Sequence, residues 1–204
     1  MLRKIISMVL SLVLVAGLAI PAFAAENNDI PTSIDGMDEF MELTVIGTIY
    51  LDVESAVDAG YNEEYVTAIA THIGNMNQLV INGDAYIDET FTATAYFVSP
   101  RAKGESKVVT YWYGLTQVYM NSDEADELIA NLSTIGDVTT IAGLVGLLPY
   151  ALASVIGGIS GILGFGTMIY RWQVEAAAEA GNGIIMNIQT NFVDGSQTIW
   201  FTSQ

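Results

Sequence analysis

The sequence predicts an α+β fold: a small, mainly antiparallel β portion with a short helix, then an apolar Gly-rich helical hairpin, then a C-terminal β-hairpin. Three observations predict it. Between Ile87 and Val98, Phe91, Ala93, Ala95 and Phe97 alternate with Thr90, Thr92, Thr94 and Tyr96, which is strand periodicity. Val138 to Tyr170 runs for 33 residues without a charge. Asp194-Gly195 lies between two β-prone runs, 184–192 and 198–202, and an Asp-Gly in that setting signals a hairpin.

The elements follow in order. Residues 1–24 read as a signal peptide: Arg3 and Lys4 form a basic start, Ile5 to Leu18 an apolar stretch, and Ala22-Phe23-Ala24 a small-x-small cleavage site after Pro21. Cleavage after Ala24 would leave 180 residues, enough for one domain with an appended element. Residues 25–41 are polar at first and read as a mobile leader. Residues 42–121 read as the β portion with one helix. Glu42 to Asp52 is β-rich. Val66, Ile69, Ile73 and Met76 recur at helical spacing within Tyr65 to Leu79, with Gly74 as a weak point. Lys107 to Met120 resumes the strand pattern after a loop that carries most of the chain's positive charge, which makes a hairpin with 87–98.

Residues 122–180 read as the helical hairpin. Asn121-Ser122 precedes Asp123-Glu124, a capping residue followed by first-turn acids, and Ala125, Leu128, Ile129, Leu132 and Ile135 follow at helical spacing. Pro149 divides the uncharged run. Its second part, Tyr150 to Tyr170, would be about 31 Å long as a helix, close to the ~30 Å of a hydrocarbon core. Arg171 and Trp172 follow as an interfacial anchor would. Ser154, Gly157, Gly158, Gly161 and Gly164 place small residues four apart, the spacing that lets helix backbones approach closely, and Gly143 and Gly146 on the preceding segment supply a partner folded back at Pro149. A helix apolar all round is equally at home inside a protein core. Gly181-Asn182-Gly183 ends the helical tail, and 181–204 forms the terminal hairpin.

Composition narrows the function. The chain carries 23 acidic and 6 basic residues, a net charge of −17. Without the signal, Arg101, Lys103, Lys107 and Arg171 alone oppose the acids, four against 23, hence −19. Such a surface repels phosphates and anionic headgroups, which excludes nucleic acid as a partner and electrostatic docking on a membrane. Calcium is a candidate from the acidic clusters alone, since none has EF-hand spacing with its central Gly. There is no Cys, so disulfides and thiolate metal sites are excluded, and export without cysteine points to a bacterium. His72 is the only histidine, and no nucleophile elbow, zinc-helix motif or phosphate loop is present, so no catalytic residue, metal ligand or cofactor is assigned. Tyr111, Trp112, Tyr113 and Tyr119 make a dense aromatic strand, which serves either as core or as a binding face for sugars or a membrane interface.

The order of Tyr111-Trp112-Tyr113-Gly114, Val118-Tyr119-Met120-Asn121, acidic-to-apolar helix, Gly-rich hairpin, Gly181-Asn182-Gly183 and terminal strand resembles uncharacterised small secreted proteins of Gram-positive bacteria, over about 107–204. That resemblance implies no catalytic residue. The hairpin also resembles the membrane-inserting part of some bacteriocins, which are usually cationic where this chain is acidic. The sequence thus leads to a secreted or surface-exposed, non-enzymatic protein that interacts with or inserts into membranes through 138–170, or self-associates there. The alternative is a soluble extracellular or cell-surface binding or structural module in which the same segment is only hydrophobic core.

Overall fold

The computed structural model describes residues 34–97, 102–136, 138–148, 150–159 and 168–204. The signal peptide and most of the leader lie outside these residues. From residue 34 on the leader is structured. A 3-10 turn at Met37–Phe40 leads into β1 (Met41–Leu43), and Met37 and Met41 are buried. The run read as one strand over 42–52 is a hairpin: β1 pairs antiparallel with β2 (Ile49–Leu51) around a turn at Thr44–Gly47. Asp52 then accepts the Ser55 amide and caps a helix absent from the sequence reading, α1 (Val53–Asp58).

Helix α2 (Glu63–Asn82) is longer than its periodicity suggests, because both ends are well terminated. Asn62 accepts the Tyr65 amide at the start, and Gly83 takes the left-handed conformation (φ 81°) at the end. Its inner face is Tyr65, Val66, Ile69, His72, Ile73, Met76 and Leu79. Gly74 does not break it.

Six strands follow in one antiparallel sheet: β3 (Tyr86–Ile87), β4 (Thr92–Tyr96), β5 (Lys107–Tyr111), β6 (Leu115–Met120), and, much later in the chain, β9 (Ile184–Thr190) and β10 (Gln197–Ser203). Their spatial order is β10-β9-β6-β5-β4-β3. The hairpin between 87–98 and 107–120 is present as β4 with β5, in register Ala95 with Val108. The second run is two strands, because the chain turns at Gly114, whose φ of 90° strains any side chain. The C-terminal hairpin is present too, but it is not a separate unit. β9 pairs with β6 along its length, so residues 184–203 extend the main sheet.

Between β6 and β9 lies the helical layer. α3 (Ser122–Ile135) opens with a reciprocal cap in which Asn121 accepts the Asp123 and Glu124 amides and Glu124 accepts the Asn121 amide. It stops at Gly136 instead of running on into the apolar segment. That segment is not a pair of long helices: β7 (Val138–Thr140) and β8 (Met168–Tyr170) form a two-stranded clasp, with short helices α4 (Ile141–Val145) and α5 (Tyr150–Ile159) between them. The β-branched Val138-Thr139-Thr140 finds a distant partner, and pairing outweighs helix formation there. α6 (Arg171–Ala178) leads back to the sheet.

All of these helices cover one face. Ala95, Val108, Val118, Met120, Ile184, Met186 and Ile188 meet Leu128 and Leu132 of α3, Leu144 of α4, Leu152, Val155 and Ile156 of α5, and Val174 of α6. A second cluster joins the β1–β2 hairpin, α1 and α2 to Ile87 and Ala93 of the same face. Each such side chain contributes about 1.5–3 kcal/mol by leaving water, which makes one-sided helical cover the main source of stability.

Candidate functional site: the open face of the sheet

Alternate residues of the same strands form the opposite face. Register places Tyr96, Lys107, Tyr119, Ile185 and Thr202 in one row across the sheet. Thr94, Val109, Gln117, Asn187 and Trp200 form the next, with Tyr86 beyond Thr94. Neither hydrophobic cluster includes a residue from these two rows. Tyr86, Tyr96 and Trp200 are 51%, 62% and 40% exposed, high values for such large rings.

The rings are held in place. Tyr86 and Tyr96 stack with centroids 6.2 Å apart and 14° between planes, and Tyr111 stacks on Tyr113 at 5.2 Å. Lys107 pairs with Glu105, and its ammonium sits 4.5 Å from the centre of the Tyr119 ring and 5.9 Å from that of Tyr96, within cation–π range. Beneath the rings runs an amide relay. The Tyr111 and Tyr119 hydroxyls both donate to Gln117 Oε1, at 3.2 and 3.3 Å. Gln117 Nε2 then donates to Asn187 Oδ1 at 2.9 Å, and Asn187 Nδ2 faces the Trp200 carbonyl and the Thr202 hydroxyl at 3.4 Å each. Asn187 is buried among these partners. A relay so connected fixes rotamers and leaves the ring faces as the free surface.

Charge is nearly absent. Lys107 is the one charged residue in the six strands, although the chain has 23 acids. Burial pushes the phenol pKa values of Tyr111 and Tyr113 up, and the hydrogen bond with Tyr86 does the same for Tyr96, so these hydroxyls stay neutral donors at ordinary pH. Such a face can stack on a flat apolar surface and exchange hydrogen bonds at its rim. It holds no nucleophile with an adjacent base, and among the described residues no three His, Cys, Asp or Glu side chains are grouped to hold a metal ion.

No protein-family model, curated protein or solved structure matches this chain. The assignment of a site therefore rests on its own geometry.

Of the aromatic strand singled out in the sequence, Tyr111, Tyr113 and Tyr119 belong to the open-face group. Trp112 does not: it has the opposite parity and packs against the second core beside Phe192. His72 is also interior, with Nε2 3.0 Å from the Tyr111 carbonyl and its ring 5.4 Å from that of Phe192. Burial lowers its pKa, which suits a neutral ring donating to that carbonyl. Tyr86, Tyr96, Gln117, Asn187 and Trp200 are additions the sequence reading lacks. Tyr96 could have been found, since its parity already sets it opposite Ala93 and Ala95.

The apolar segment is placed differently. Leu144, Val145, Leu148, Leu152, Val155, Ile156 and Ile169 are buried in the main core. Gly143 is half-buried, while Gly146, Ser154 and Gly157 are exposed. A Cβ at Gly157 would meet nothing within 4 Å among the described residues. Gly158 lies in α5, and Pro149, Gly161 and Gly164 lie outside the described residues. Arg171 opens α6 with an ion pair to Glu175 at 3.1 Å, and Trp172 beside it is exposed. No described helix is long and apolar enough to cross a membrane.

Proposed function

We propose that this protein is an extracellular binding module whose open sheet face takes a neutral polysaccharide, with the apolar segment as its hydrophobic core. The observation that carries the reading is the face itself: exposed, pre-stacked tyrosines and a tryptophan over a connected amide relay, almost without charge, on an otherwise acidic protein. A pyranose ring offers an apolar C–H face ringed by hydroxyls. It stacks on an aromatic ring with one and hydrogen-bonds to amides and phenols with the other. The scarcity of carboxylates on the face suits an uncharged ligand, and the fixed side-chain geometry lowers the ordering cost of binding. Burial of Leu144, Leu152 and Ile156 supports the second half of the reading.

The test is pull-down of residues 25–204 on insoluble cellulose, chitin and xylan, with soluble oligosaccharides as competitors. Binding to at least one, weakened about tenfold by Tyr96→Ala and again by Trp200→Ala, is the expected outcome, since each loss corresponds to about 1.4 kcal/mol of stacking. Binding unaffected by both substitutions, or none to any of the three, removes the reading.

Contact with a lipid surface is a second reading, favoured by one observation away from the apolar segment. Val45 and Ile46 stand at the tip of the β1–β2 turn, fully and 69% exposed, where turn chemistry favours Asn, Asp or Gly. Flotation of neutral vesicles with the protein, abolished by Val45→Asp, would support it. The protein staying at the bottom of the gradient would reject it.

A further inference from the structure

The two edges of the six-stranded sheet are built on opposite principles. β3 at one edge is two residues long and is followed by Asp88 and Glu89, with Asp84 just before it, so it is short and flanked by charge. Both are common ways to keep an edge from pairing. β10 at the other edge has seven residues, Gln197 to Ser203, without a charge, a proline or a break in register.

Its free side can be assigned atom by atom. Gln204 N donates to the Gly183 carbonyl and Asn191 N to the Ser196 carbonyl, and both pairs obey the β9–β10 register. In an antiparallel ladder hydrogen-bonded pairs alternate, so Ser196, Thr198, Trp200 and Thr202 turn their backbone groups toward β9. Ile199, Phe201 and Ser203 therefore turn theirs outward, and no backbone hydrogen bond reaches these three from that side among the described residues. α6 packs beside β10 from the core face, where Ile199 and Phe201 are half-buried.

We infer that β10 is a self-pairing edge: two copies of the chain join antiparallel through β10, about a two-fold axis at Trp200. A second copy fits better than another partner because the strand is self-complementary. Antiparallel pairing centred on Trp200 sets Ile199 opposite Phe201 of the other copy as a hydrogen-bonded pair and Thr198 opposite Thr202. Every residue of the strand then has a partner, whereas shifting the register by two leaves residues unpaired at each end. The two Trp200 rings meet across the axis on the open face, a favourable cross-strand aromatic pair. Along its own seven residues β10 also carries no carboxylate to repel a second copy of so acidic a chain. The charges around it lie at its ends and on the covered side: Asp194 in the turn before it, Glu105 bonded to Gln204 after it, and Arg171 with Glu175 on α6. Pairing joins two sheets edge to edge and doubles the length of the aromatic surface, though it stands whether or not that surface binds sugar.

Sedimentation equilibrium of residues 25–204 across the micromolar range, in low and high salt, tests it. A monomer–dimer equilibrium is expected, shifting toward dimer as salt screens the acidic surfaces, with concentration-dependent Trp200 emission. Thr198→Lys with Thr202→Lys sets like charges opposite each other in this register and should yield monomer. Thr198→Lys with Thr202→Glu sets opposite charges there and should restore the dimer. Both sites are exposed, and Ser203→Pro, at an exposed position whose N–H turns outward and makes no ladder bond, gives an independent monomer. A wild-type monomer throughout, a dimer untouched by the double-lysine change, or failure of the Lys/Glu pair to restore it overturns the inference.

Discussion

Val118 and Tyr119 are neighbours in β6, and their side chains leave the sheet in opposite directions. Val118 is fully buried between Val108 and Met186, under α3 and α5. Tyr119 carries a cation against its ring and passes its hydroxyl to Gln117. The same contrast holds for Ala95 and Tyr96, and for Met186 and Asn187. One face is apolar and covered by helices; the other is aromatic and polar and is held together by its own side chains. Among the described residues no second layer covers that face, and its donors and acceptors are met by its own side chains instead.

The largest test of that contrast truncates the covered face. Met186→Ala should cost about 2–5 kcal/mol, read as a lower urea midpoint, because the main core closes over it. Next comes the amide relay. Asn187→Ala should cost about 1–3 kcal/mol by leaving Gln117 Nε2 without its acceptor, a loss the exposed Tyr96→Ala should not reproduce. A smaller effect is set by pH. The His72 pKa is depressed by burial, so the unfolded chain binds this proton first, and stability should fall as pH drops below the ordinary His value of about 6.5 toward the folded one. His72→Gln should abolish that slope above the carboxylate range while lowering stability at neutral pH. The smallest change is a gain: Gly157→Ala should stabilise by up to about 1 kcal/mol, because its Cβ meets no described atom within 4 Å on a helix. A loss instead would mean that close packing at Gly157 is real.

Local periodicity made much of this fold legible. The alternation around Ala93 and Ala95 has the correct parity, and Asn121 and Gly181-Asn182-Gly183 lie at a helix start and at the turn into β9. What the sequence conceals depends on partners far along the chain. Val138-Thr139-Thr140 and Met168-Ile169-Tyr170 are β-prone, but counting uncharged residues merged them with the short helices between. Gly114 hides in a run of aromatics, so β5 and β6 read as one strand. The open face was only partly visible, since Tyr86, Tyr96 and Trp200 come beside Tyr119 and Gln117 only through strand order. Trp112, grouped with its tyrosine neighbours in the sequence, is set apart from them by parity.

The place of β9 in the sheet bears on when the molecule can fold. β6 ends at Met120 and β9 begins at Ile184, and until β9 docks, β6 has only one neighbour and the core beneath Met186 and Ile188 is open. Gln204 then ties the junction, donating from Nε2 to the Met120 and Glu105 carbonyls and accepting the Glu105 amide. A sheet completed by such distant contacts closes late.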